Sequence, residues 1–122
     1  LDFIGVTKMT NREKLEVYFD TFSNKDINTL SKMFSNDVVL NDWNVSVSGK
    51  TEVVNTVKNI FDEVSSIKVT PLKIYSMNEN SFAVETTIAV NTEESYCSTL
   101  DVIDVIEFNV KGLIKSVNAY KV

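Results

Sequence analysis

Thr99-Leu-Asp-Val-Ile-Asp-Val-Ile-Glu-Phe108 is the most apolar stretch of the chain, and its β-branched content reads as a strand. Alternate side chains of a strand point to opposite faces. Leu100, Val102, Asp104, Ile106 and Phe108 therefore share one face, the one expected to look into a core or pocket. Asp104 is the exception on that face. An ionised carboxylate in apolar surroundings is costly unless paired, and a common outcome is a raised pKa and a neutral acid. Read from the residues alone, Asp104 serves either a structural hydrogen bond or a functional site, where a neutral acid donates to a developing oxyanion. Asp101, on the opposite face, reads as a surface or interface charge.

Working outward, the period is alternating from residue 67 onward. Lys68–Met77 and Ser81–Val90 read as strands around the turn Asn78-Glu-Asn80. Tyr96–Phe108 and Leu113–Val122 form a second pair around Asn109-Val-Lys-Gly112. Pro71 lacks an amide proton for the ladder, which predicts an edge position or a bulge.

The N-terminal half is helical in period. Thr10 or Asn11 caps a helix running to about Ser23, with Leu15, Tyr18, Phe19 and Phe22 on one stripe. Asp26 caps a shorter helix whose inner face carries Ile27, Leu30, Met33 and Phe34, and Asn36-Asp37 breaks it. Val38-Val-Leu40 opens a strand reaching Asp42-Trp43, and a short piece at Val45–Val47 ends at Ser48-Gly49. A third helix spans Thr51 to about Ser65. Helices followed by a long meander predict one α+β domain over residues 9–122, a cone of three N-terminal helices packed on a curved antiparallel sheet. Leu1 to Lys8 precede Met9 and lack the long apolar core of a signal peptide, leaving a native extension, an expression remnant and an ordered first segment all open.

Composition narrows the chemistry. The 122 residues carry a net charge of −5 and scattered lysines, which argues against nucleic acid and against anchoring on anionic lipid. No apolar run approaches the ~18–20 residues of a membrane-spanning helix. There is no histidine and one cysteine, Cys97, so His/Cys zinc sites and His-dependent nucleophilic systems are excluded. One cysteine forms no internal disulfide, which fits a cytoplasmic location. Acid–base work falls to Asp, Glu, Tyr or Lys.

The element order, together with Tyr18 through Asp42 (Asn24-Lys-Asp-Ile27, Phe34, Asn36-Asp37), Leu100–Val105, Phe108, Gly112 and Ala119-Tyr120, resembles the nuclear-transport-factor-2-like (cystatin-like α+β barrel) superfamily. Within it, the chain is most similar to the ketosteroid isomerases and SnoaL-like domains. The resemblance implies Asp42 as general base, and Tyr18 and Asp104 as oxyanion donors, with no metal and no organic cofactor. The pocket is expected to be lined by Phe22, Phe34, Trp43, Phe61, Val102 and Ile106. The chain departs from the family pattern at Trp43, where Pro often follows the base, and at Phe34 and Val57, where some members carry supporting tyrosines. It departs again at Lys121, where an aromatic often stands. These changes bear on substrate shape.

The residues keep plainer alternatives open. Tyr18 reads equally as core with its hydroxyl on backbone, Asp42 as a turn cap, and Trp43 as rim packing. Related cyclase-like and dehydratase-like branches work with a His–Asp pair, absent here. Epoxide-hydrolase-like members use Asp-Arg-Asp, whereas the only arginine is Arg12 at a helix start. The expected function is a cofactor-independent isomerase shifting a double bond in a small apolar ketone. The alternative is a non-catalytic module binding a small apolar ligand or a protein. A homodimer through the outer sheet face is expected under either, because Ile103 and Val105 make that face apolar too.

Overall fold

A computed structural model describes residues 9–94 and 97–122. The N-terminal extension at 1–8 and the strand start at Tyr96 lie outside the described residues. The elements are α1 (Asn11–Ser23), α2 (Ile27–Met33), β1 (Phe34–Asn41), β2 (Ser46–Ser48), α3 (Lys50–Glu63), β3 (Ser66–Ser76), β4 (Ser81–Asn91), β5 (Cys97–Phe108) and β6 (Ile114–Lys121).

Helix α1 starts at a reciprocal capping box. The Thr10 hydroxyl accepts from the Glu13 amide at 3.1 Å, and the Glu13 carboxylate accepts from the Thr10 amide at 2.9 Å. Leu15, Tyr18 and Phe19 are buried on its inner stripe, so the cap also sets where Tyr18 points. Thr10→Ala removes one of these bonds and is expected to cost about 1 kcal/mol, read as a lower urea midpoint at unchanged slope. The same helix is tied to both hairpin turns. Lys14 Nζ donates to the Gly112 carbonyl at 2.9 Å, and Asn11 Nδ2 donates to the Glu79 carbonyl at 3.1 Å. Gly112 sits at φ +78°, and a Cβ there would lie 2.5 Å from Lys14 Nζ.

Asp26 caps α2 by accepting from the Thr29 amide at 3.1 Å. Phe34 does not extend α2, contrary to its place on the expected helical stripe. Its amide bonds back to Ser31, its backbone turns extended, and it pairs with Ile114 as the first residue of β1. Phe34 is buried either way, so its apolar character did not distinguish helix end from strand start. In α3, Val53, Val57 and Phe61 are buried at a spacing of four, one helical face.

The strands form one six-stranded sheet in the order β2-β1-β6-β5-β4-β3. The antiparallel meander from β3 to β6 is as expected, but the sheet as a whole is mixed, because β1 lies parallel to β6. Alternation along a strand reports its faces and not its neighbour's direction, so this pairing is a tertiary outcome. Register shifts interrupt β1/β6 between Phe34 and Val39, β3/β4 between Pro71 and Lys73, and β5/β6 between Glu107 and Phe108. Such bulges bend strands and increase twist. The curved, unclosed sheet wraps the three helices, with Pro71 on edge strand β3 at a bulge, as its missing amide proton predicts. The β3 edge is partly covered by α1, whose Ser23 hydroxyl accepts from the Val69 amide at 2.8 Å. Among the described residues no helix is long and apolar enough to cross a membrane.

Candidate active site

Between the helices and the concave sheet face lies a cavity of about 250 Å3. Three elements bring ionisable side chains to it: Tyr18 from the inner stripe of α1, Asp104 from the middle of β5, and Asp42 from the turn just after β1. Among the described residues no lysine or arginine lines it, and Asn44 is its one other strongly polar lining side chain.

Tyr18 and Asp104 are both buried. Neither the Tyr18 hydroxyl nor the Asp104 carboxyl takes a hydrogen-bond partner among the described residues, yet no fully enclosed side-chain nitrogen or oxygen there is unpaired. Both groups therefore open onto the cavity. Burial pushes the Asp104 carboxyl up to about 7. Burial first, and then the charge of Asp104, raises the Tyr18 phenol above its ordinary range. The Tyr18 ring is held by three phenylalanines, with centroids 5.3 Å from Phe19, 6.1 Å from Phe22 and 6.3 Å from Phe34. Below neutral pH the pair presents two O–H donors in an apolar enclosure, where hydrogen bonds to a developing anion are strongest.

Asp42 caps a turn, as one of its sequence readings has it, and it also borders the cavity. Its Oδ1 accepts from the amides of Asn44 at 2.7 Å and Val45 at 2.8 Å, and its own amide donates to the Val45 carbonyl at 2.9 Å. This closes the turn over residues 42–45 between β1 and β2 while the carboxylate lines the cavity. Oδ2 takes no part in the turn. A carboxylate held by one oxygen and free at the other is suited to carrying a proton between two carbons of one ligand.

Of the expected lining residues, Phe22, Phe34, Trp43 and Val102 reach the cavity. Phe61 and Ile106 do not. Phe61 stands edge-on behind Phe22, with centroids 5.0 Å apart. Ile106 is fully buried between Phe82 and Val117, and of these three only Val117 lines the cavity. Sharing a face with Asp104 says which side Ile106 is on, not how deep the cavity runs. Asn44, Ile60, Val69, Ile88, Val90 and Ala119 line the cavity without having been singled out. Val69 lies on β3, and Ile88 and Val90 on β4, strands whose inward residues were not assigned from the sequence. Arg12 lies at the start of α1 and does not line the cavity. Among the described residues no three His, Cys, Asp or Glu side chains gather as metal ligands.

Solved structures share this architecture. An NTF2-like protein of unknown function from Exiguobacterium sp. 255-15 is similar at 18% identity over 88% of this chain and 97% of its own, with a TM-score of 0.79. A Mycobacterium tuberculosis protein in complex with estradiol-17β-hemisuccinate is similar at 14% identity over 91% and 93% of the two chains, with a TM-score of 0.80. An LEH-like epoxide hydrolase of M. tuberculosis is similar at 17% identity over 88% and 79% of the two chains, with a TM-score of 0.77. At these identities the likeness concerns the fold. No curated protein sequence matches the chain. The SnoaL-like domain profile matches residues 15–117, which takes in Tyr18, Asp42 and Asp104, and the chain therefore belongs to the SnoaL-like domain family.

Proposed function

We propose that the chain is a cofactor-independent isomerase that moves a double bond in a small apolar ketone through an enolate. One observation carries the reading: Tyr18, Asp104 and Asp42 line the same largely apolar cavity. In this mechanism the carbonyl oxygen accepts from Tyr18 and from protonated Asp104. Asp42 Oδ2 removes a proton from the α-carbon, and the negative charge moves onto the oxygen between the two donors. The same carboxyl then returns the proton to the γ-carbon, leaving a conjugated enone and the enzyme unchanged. The structural neighbour bound to a steroid derivative supports an apolar, ring-containing ligand class.

The assay is conversion of a 5-ene-3-ketosteroid and of smaller β,γ-unsaturated ketones, followed by the ultraviolet absorbance of the conjugated product. Turnover of at least one of them by the wild type is expected. No turnover of any, with binding retained, overturns the isomerase in favour of a second reading. That reading is a non-catalytic module holding a small apolar ligand, and the use of Asp42 Oδ1 as a turn cap favours it.

We further propose that the protein acts in the cytoplasm as a homodimer through the outer sheet face. Ile103 and Val105 lie there between Tyr120 and Asn118 of β6 and Glu85 and Ala83 of β4. Sedimentation at micromolar concentration is expected to give twice the chain mass, and Ile103→Lys to give the monomer. A wild-type monomer overturns the assembly without touching the catalytic reading.

A further inference from the structure

The cavity has two differently charged rims. At Val90 it adjoins a groove carrying Asp62, Glu63, Glu93 and Glu94. At Asp42, Trp43 and Ala119 it adjoins a second groove, whose lining includes Asn118 and Lys121. Among the described residues, Lys121 is the only cationic side chain lining the cavity or either groove. Its ammonium stands 5.4 Å from the centroid of the Trp43 ring, a cation–π distance that holds the two side chains together at the rim. Trp43 remains 41% exposed, so one ring lines the cavity, walls the second groove and supports the cation.

We propose that Trp43 and Lys121 form a subsite for the far end of the ligand, and that this end bears a carboxylate or another oxygen acceptor. The inference rests on the cavity being the ligand site, as above. A ligand with its ketone at Tyr18 and Asp104 has no cation to meet inside. A negative end is repelled by the acidic rim at Val90 and attracted at the other, so charge fixes both the exit and the orientation. Asp42 also lines the second groove, so the acceptor ends beyond it, on the Lys121 side. The ring of Trp43 offers a flat apolar wall to the part of the ligand in between.

The test compares 4-phenylcyclohexanone with 4-(4-oxocyclohexyl)benzoate, which adds only a carboxylate at the end opposite the ketone. Calorimetry gives both affinities, and the fluorescence of Trp43, the sole tryptophan, reports rim occupancy. In the wild type the carboxylate is expected to bind about two- to five-fold tighter at low salt, the range of an exposed ion pair, and to lose that margin at high salt. Lys121→Ala should abolish the margin, since any loosening of the Trp43 ring acts on both compounds and cancels in their ratio, and Lys121→Glu should invert it. Equal affinities in the wild type, or a margin that survives Lys121→Ala, overturn the subsite and leave the cavity reading standing. Binding of neither compound overturns both.

Discussion

Asp42→Asn is expected to lower kcat by at least ~100-fold on any ketone the wild type turns over, the usual scale for losing a general base. The substitution is chosen because asparagine keeps the turn. Its amide oxygen can accept from the Asn44 and Val45 amides as Asp42 Oδ1 does, at 2.7 and 2.8 Å. Stability should therefore change by no more than ~0.5 kcal/mol, and an unchanged urea midpoint certifies that the lost activity is chemical. What asparagine lacks is a second oxygen able to hold a proton. KM is expected to move little, because the oxyanion donors and apolar walls are untouched. A variant within tenfold of the wild type sinks Asp42 as the base and leaves it a turn cap that happens to border the cavity.

The second large effect is thermodynamic. The Asp104 carboxyl titrates at about 7 when folded, against an ordinary value of 3.8, because burial penalises its charged form. Between these values the folded state holds a proton that the unfolded state has released, so this group makes stability fall as pH rises from about 4 to about 7. Below both values the penalty is absent; above both it is complete, on the order of 4 kcal/mol. Asp104→Asn replaces the acid by a neutral side chain of the same shape and removes the titration. The variant should match the wild type at pH 4 and exceed it by several kcal/mol at pH 8, read from paired urea titrations. Glu13 and Asp26, whose pKa values are lowered by hydrogen bonds at helix starts, act in the opposite sense, gaining stability with rising pH. They are common to both proteins and cancel in the difference. A stability difference that does not depend on pH would mean that Asp104 is not held protonated in the fold.

The two experiments bear on one mechanism from opposite sides. Asp104 donates a hydrogen bond only while protonated, so above pH 7, where its stability penalty is already complete, the proposed oxyanion site also loses a donor. In the proposed mechanism the arrangement trades stability for a donor, as functional sites with buried ionisable groups do.

Much of this was legible in the chain itself. The stripe Leu15, Tyr18, Phe19 and the Thr10–Glu13 box specify α1 locally, because i, i+3, i+4 spacing and a cap need only neighbours in sequence. The alternation through Val102, Asp104 and Ile106 likewise placed an acid on an inward face, which is a property of one strand. Phe34 was misread because a buried aromatic at a helix end satisfies either continuation, and its pairing with Ile114 decided the matter. Phe61 and Ile106 were misassigned to the pocket for a related reason: periodicity resolves direction but not depth.

Local chemistry thus determined the elements, their inward faces and the three ionisable groups worth watching, since each depends on side chains within a turn or a strand. Only the tertiary structure decided that β1 runs parallel beside β6 and that Trp43 meets Lys121 at the cavity rim. Those outcomes join residues about 80 positions apart, and no local period carries information across such a distance.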